Sequence, residues 1–320
     1  MYRSFFHLQR DPFEVSPDPH FLYPTAQHQE ALAGLYYGVK ARKGFMVLTG
    51  EVGTGKTLLV RCLLDLLGRD RFGYAYVFNS RLSSHQFLQY VAEDLGVHYR
   101  PASKSDLLIQ CSRYLIDRHR KGLTTLVVVD EAQHLSTAVL EEIRLLTNLE
   151  TTESKLLQIV LVGQPELDAR LESPELRQLK QRVTLRFWLA SLSEAETAGY
   201  IRRRLEAAGS VDGDIFPLET ARRVFAYSRG IPRLINTLCD NALVSAYSLG
   251  QQQVSPELVE EAARDLRLQA LSLQGNPGGG GKRSRKRKRK KHKRKGQAPA
   301  VGGDAVAVQA PTSLASEGIT

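Results

Sequence analysis

Eight residues, Gly50-Glu-Val-Gly-Thr-Gly-Lys56-Thr57, restrict the folds open to this chain more than any other stretch. They fit the G-x-x-x-x-G-K-[ST] pattern, which works only between a strand and a helix. Both are predicted: Gly44 to Thr49 reads as a buried strand, and Lys56 to Leu67 reads as a helix. Glycines let a loop turn its N–H groups inward around phosphate oxygens, and the helix N-terminus beneath adds partial positive charge. The pattern places Gly50, Glu51, Val52, Gly53, Thr54, Gly55, Lys56, Thr57 and Leu58 around a nucleoside triphosphate. Lys56 would reach the β- and γ-phosphates, and the Thr57 hydroxyl would sit on Mg²⁺. The expected ligands are ATP and Mg.

A second half of such a site is legible 74 residues after Lys56. Thr124-Thr-Leu-Val-Val-Val129 is a β-branched run closing on Asp130 and Glu131, the pattern of a buried parallel strand. Asp130 at its end can hold Mg²⁺ through water, and Glu131 can polarise an attacking water. The string Asp130-Glu-Ala-Gln133 resembles a helicase box, but no further helicase motif accompanies it. Further strands are predicted at Phe72–Phe78, Leu156–Val162 and Val183–Trp188, alternating with helices near 26–41, 84–95, 104–120 and 136–149. That alternation argues for an α/β doubly wound parallel sheet. Beyond Ser193 the patterns are helical only, near 194–208, 218–228, 232–248 and 255–270, a small all-α lid. The first 25 residues, rich in Phe and Pro, read as a strap docked on the body, because proline forbids a long helix there. The expected boundaries are a strap over 1–25, an ATPase domain over 26–190, a helical lid over 191–272 and a disordered tail over 273–320.

The formal charge of +10 is a property of that tail. Residues 282–295 hold 12 Lys or Arg, and only Asp304 and Glu317 are acidic after residue 275. Of 44 basic and 34 acidic residues, the remainder of the chain keeps 32 of each and is neutral. Behind a Gly-rich linker, the run has too few large apolar residues to offset ordering entropy. It can engage DNA phosphates or anionic headgroups without reading sequence, or act as a solvated appendage. Cys62, Cys111 and Cys239 lie in apolar helical patterns and read as reduced packing residues of a cytoplasmic protein. The eight histidines show no metal-ligand spacing. No apolar stretch reaches the length of a membrane span, and no signal-peptide pattern opens the chain.

Strand-terminal Asp130-Glu131, a polar residue after the next strand and a lid carrying Gly230-Ile-Pro-Arg233 resemble the AAA+ P-loop NTPases. Phe5-Phe-x-Leu8, Pro12-Phe13, Ser16-Pro-Asp-Pro19, Phe21-Leu-Tyr23, His28-x-x-Ala-Leu32, Gly163-Gln-Pro-Glu-Leu167, Leu176-Arg-Gln-Leu179 and Gln181-Arg182 narrow the likeness. Over roughly residues 1–270 the chain is similar to the ExeA/GspA type of bacterial secretion and pilus-assembly ATPases. The resemblance implies that Gln164 senses the γ-phosphate or the lytic water, and that Arg233 swings to the γ-phosphate from the lid. Asn79 would hold Glu131 inactive until a partner binds, or is a turn asparagine. Arg182, with Arg177 in reserve, would be an arginine finger acting on a neighbouring subunit, or part of a solvated basic rim. His28 and the strap would line the adenine side, or only pack. That family usually continues into a transmembrane helix and a cell-wall-binding module, where this chain has the basic tail.

Two functions follow. One is an oligomeric ATPase driving a secretion, pilus or envelope system, with an envelope protein as partner, in the cytoplasm or at the inner membrane of a bacterium. The other is a DNA-associated AAA+ adaptor, like those of transposition and initiation, holding duplex through residues 282–295. The Phe-Pro strap and Gly163-Gln-Pro-Glu-Leu167 favour the first, and the tail favours the second.

Overall fold

The β-branched runs become strands whose order in the sheet follows from where the helices must lie. In the computed structural model, which describes residues 2–68, 72–78, 81–98, 103–152, 154–210 and 215–270, Tyr2–Phe5 (α1) is a single turn opening the strap. Ala26–Lys40 (α2) precedes Phe45–Gly50 (β1), Lys56–Leu67 (α3) and Phe72–Val77 (β2). Ser84–Asp94 (α4) and Lys104–Arg120 (α5) lead to Thr124–Val129 (β3), Thr137–Leu146 (α6) and Leu157–Gly163 (β4). Pro165–Leu171 (α7) and Arg177–Lys180 (α8) then precede Val183–Leu189 (β5). The strands form one parallel sheet in the order β2-β3-β4-β1-β5.

The pleat divides β1 between two cores. Phe45 and Val47 face α4 to α8, while Met46 and Leu48 face α2 and α3. Both faces are covered, which is why β1, β3 and β4 read as continuous apolar runs rather than alternating ones. Only the edge strand β5 alternates, with Thr184, Arg186 and Trp188 exposed.

Glu194–Ala207 (α9), Leu218–Ser228 (α10), Pro232–Ser248 (α11) and Pro256–Asp265 (α12) make the helical region. Ser193 and Glu196 close a capping box at the start of α9, and Pro232 and Pro256 stand in the first turns of α11 and α12. The strap belongs to this region: Phe6, Leu8, Phe13 and Phe21 are buried in one core with residues of α9 to α12. Such side chains contribute roughly 1.5–3 kcal/mol each on full burial, enough to fix a proline-broken segment that has little secondary structure.

Two differences from the sequence expectations have local causes. The last helix ends at Asp265 instead of continuing towards 270, because Arg267 adopts a left-handed φ of 55° and the Leu268 N–H turns back to the Ala263 carbonyl at 2.8 Å. The short helices α7 and α8 were unanticipated between β4 and β5; α7 begins where Pro165 supplies a preset φ after Gln164, and α8 follows a single turn opened by Pro174. The basic run at 282–295 lies outside the described residues. Among the described residues no helix is long and apolar enough to cross a membrane.

Candidate nucleotide site

Every strand of a parallel sheet delivers its C-terminal end to one edge, and the site is assembled there. β1 ends in the phosphate-binding loop, in which Gly53 and Gly55 take φ of 81° and 97°. A Cβ at Gly50 would stand 2.5 Å from the Leu189 carbonyl, and one at Gly53 would stand 2.7 Å from the Arg233 Cβ. The glycines are therefore required twice, for the turn and for the close approach of β5 and α11. Lys56 Nζ donates to the carbonyls of Gly50 at 2.7 Å and Glu51 at 2.8 Å. Burial lowers its pKa, against the opposing pull of Glu131 and Asp130. A group that gives up part of its hydration to carboxylates and carbonyls is suited to receive phosphate oxygens in their place.

β3 brings Asp130 beside that lysine. Thr57 Oγ1 donates to Asp130 Oδ2 at 2.9 Å, and the Tyr76 hydroxyl from β2 donates to the same oxygen at 2.7 Å. The Thr57 hydroxyl, the Asp130 carboxylate and a substrate phosphate form an all-oxygen donor set, the chemistry Mg²⁺ takes. Among the described residues no group of three or more His, Cys, Asp or Glu could hold a metal, so the fit depends on oxygens the substrate brings. Tyr76, which sequence reading passed over, has its own hydroxyl pKa pushed up by burial and by Asp130. Its signal was present as an inward aromatic position on a strand flanking the acidic one.

Glu131 sits in the left-handed region at φ 51°, a conformation that costs a non-glycine residue on the order of 1 kcal/mol. Its carboxylate oxygen Oε2 accepts from Gln133 Nε2 at 2.5 Å and from Gln164 Nε2 at 3.1 Å. Burial raises the Glu131 pKa, but those two amides and the Lys56 charge outweigh it and hold the group below the ordinary carboxylate value. A carboxylate that stays ionised is available to take a proton. Gln133 is the second residue that sequence reading did not single out, since the string Asp130-Glu-Ala-Gln133 lacks the other helicase motifs.

The helical region closes the site from the other side. The Arg233 N–H donates to the Gly53 carbonyl at 3.2 Å, docking the start of α11 on the loop. A cavity of about 220 Å³ is lined by Gly53, Gly55, Lys56, Thr57, Glu131 and Arg233, with Val52 and Leu58 beside them. Strap residues Val15 to Asp18 and, from the helices, Tyr200, Arg204 and Asn236 complete it. His28 touches the loop from below, with Nε2 3.3 Å from the Thr54 carbonyl and Nδ1 2.7 Å from Thr25 Oγ1.

Lys56, Thr57, Asp130, Glu131, Gln164 and Arg233 therefore meet at one edge. Arg182 does not join them. It immediately precedes Val183, which pairs with Phe45 at the start of β1, a full strand from the loop. Six residues of strand span on the order of 17 Å. Asn79 lies outside the described residues.

Residues 39–171 match the AAA domain family. General secretion pathway protein A of Aeromonas hydrophila is 45% identical over 255 residues, which is 79% of this chain and 46% of that protein. The chain thus spans about half the length of that relative. The ATP-dependent target DNA activator B of Escherichia phage Mu is 28% identical over 69% of this chain and 66% of its own length. Among solved structures, the ORC2 protein of Aeropyrum pernix superposes with a TM-score of 0.62 at 18% identity, covering 80% of this chain and 71% of the other, a likeness of fold.

Proposed function

The chain carries an AAA+ domain of the general-secretion-pathway-A type, and from that premise we propose that it hydrolyses ATP with Mg²⁺ to drive or regulate a bacterial secretion or envelope-assembly system. The observation that supports hydrolysis is the arrival of Lys56, Thr57, Glu131 and Arg233 at one cavity, with Gln164 bonded to Glu131. In the reaction a water oxygen bonds to the γ-phosphorus, the bond from that phosphorus to the β–γ bridging oxygen breaks, and the water proton passes to Glu131. Lys56 and the loop N–H groups hold the phosphates, while Gln164 and Arg233 act on the γ-phosphate side. Thr57 and Asp130 would hold Mg²⁺, which would supply charge neutralisation at the phosphate oxygens. Lys56→Ala should abolish nucleotide-dependent phosphate release by the whole chain. Turnover retained by that variant would refute the site.

We further infer that the chain assembles with copies of itself, since Arg182 stands too far from its own loop to serve it. The secretion role rests on the 45% identity to the Aeromonas protein, and the client would be an envelope component. The 28% identity to a phage DNA activator favours a second reading, an ATPase that assembles on duplex DNA. ATPase rates of the whole chain, measured with duplex DNA and with anionic vesicles, separate the two. The comparison is repeated on a chain ending at residue 275. Vesicle stimulation lost on truncation is expected if the basic run is a membrane contact at the cytoplasmic face. DNA stimulation would put the second reading first, with duplex held through residues 282–295 if it is lost on truncation and through the folded part if it survives.

A further inference from the structure

One amide links the base to the sensor. Gln133 is buried at 7% exposure, and both ends of its side-chain amide are used. Nε2 donates to Glu131 Oε2 at 2.5 Å, and Oε1 accepts the Gln164 main-chain N–H at 3.1 Å. Gln164 Nε2 returns to Glu131 Oε2 at 3.1 Å, closing a ring of three residues. The approach is tight, since a Cβ at Gly163 would stand 2.9 Å from Gln133 Oε1.

The turn that carries Gln133 does not need its side chain. Arg170 Nη1 donates to the carbonyls of Gln133 and Leu135, both at 2.6 Å, and pins the turn through main-chain atoms. The buried amide is thus left to Glu131 and Gln164. The two amides that donate to Glu131 Oε2 differ in what a substrate would do to them. Gln164 Nε2 must leave Oε2 to donate to a phosphate oxygen or a water, whereas Gln133 lies behind Glu131, which itself lines the cavity.

We propose that Gln133 is a positioning residue for hydrolysis, holding the Glu131 carboxylate in register with the Gln164 loop after Gln164 has turned to the substrate. The proposal rests on the hydrolytic reading above. With one lone pair of Oε2 fixed by Gln133, the rotation of the carboxylate is restrained and Oε1 is left to accept the water proton. In the absence of Gln133 nucleotide binds as before, but the base is disordered.

The test uses the whole chain with Gln133→Glu, which keeps the acceptor and replaces the donor with a like charge, and Gln133→Met, which keeps volume and removes both. Each should lower kcat by about 10²-fold, the size of a mispositioned catalytic group, with nucleotide Kd within threefold of wild type. In a Glu131→Gln background, where there is no carboxylate to position, either change should alter the residual single-turnover rate less than twofold. If Gln133→Glu does not fold, Gln133→Met gives the same readings. A kcat loss below tenfold in the folded variants overturns the proposal. So does a Kd loss as large as the kcat loss, or an undiminished kcat loss in the Glu131→Gln background. Wild-type chain without turnover would instead overturn the hydrolytic reading from which the proposal starts.

Discussion

Single residues show where this fold has no room to give. Gly230 and Gly250 share a left-handed conformation, with φ of 72° and 67°, yet their surroundings differ. A Cβ at Gly230 would stand 1.8 Å from the Leu192 carbonyl oxygen, whereas nothing lies within 4 Å of one at Gly250. Gly250→Ala should therefore cost only the conformational strain, about 1–2 kcal/mol. Gly230→Ala forces backbone against backbone and should exceed about 4 kcal/mol, the range reached only by gross disruption. Denaturant unfolding of the two variants checks the contrast, and equal losses would contradict the crowding argument. His28 gives a second prediction at this scale. Burial holds its pKa below the ordinary histidine value of 6.5, against weaker opposing contributions from the Thr54 carbonyl and Glu196. Below pH 6.5 the unfolded chain then binds a proton that the folded chain refuses, so stability should fall as pH drops through that range. His28→Gln should flatten this part of the stability profile, and an unchanged slope would remove His28 as its source.

At the scale of elements, one buried arginine ties the strap's main chain to the helical region beside its buried aromatics. Arg204 is 4% exposed, and no carboxylate pairs with it among the ion pairs of the described residues. Its guanidinium instead donates to the main-chain carbonyls of Pro12 and Glu14 and to the Tyr200 hydroxyl, and lies over the Phe21 ring at 4.6 Å. Asn236 accepts from the Tyr200 hydroxyl at 2.8 Å and donates towards the Glu14 carbonyl at 3.4 Å. Arg204→Met keeps the apolar stem but leaves the Pro12 carbonyl without its donor, at about 1–3 kcal/mol, and the Glu14 carbonyl with Asn236 alone. It should speed hydrogen exchange of the strap and weaken nucleotide binding, because Val15 to Asp18 line the same cavity. Loss of stability with nucleotide affinity unchanged would separate the strap from the site. The same contrast explains what the sequence made legible. Strands β1, β3 and β4 were readable because burial on both faces leaves an unbroken apolar run, and Lys56, Thr57, Asp130 and Glu131 because their spacing is set by where those strands end. Tyr76 and Arg204 were not, since their partners lie 54 and 192 residues away and no local pattern encodes such a pairing. Gln133, though two residues from Glu131, is tied to Gln164 only 31 residues on.

For the whole molecule, the sheet places Lys56 and Glu131 at one end, where the strands finish, and Arg182 at the other, where β5 begins. If Arg182 supplies transition-state charge, it does so for another copy, and the two defects should be separable by mixing. Arg182→Ala removes what a subunit lends, and Glu131→Gln removes what a subunit uses. Each variant alone should be slower than wild type by on the order of 10³-fold or more, the contribution of an arginine finger or of a lost base with its oriented water. In a mixed assembly an Arg182→Ala subunit keeps its own Glu131 and receives Arg182 from a Glu131→Gln neighbour, so that interface is complete. Mixing the two inactive chains should restore a substantial fraction of wild-type turnover, with a maximum near equal proportions. The recovery should vanish on dilution below the assembly concentration, since it depends on contact between copies. An arginine that served its own subunit would give no recovery at any ratio. A loss below tenfold for assembled Arg182→Ala would reduce Arg182 to one charge of a basic rim with Arg177, Lys180 and Arg186.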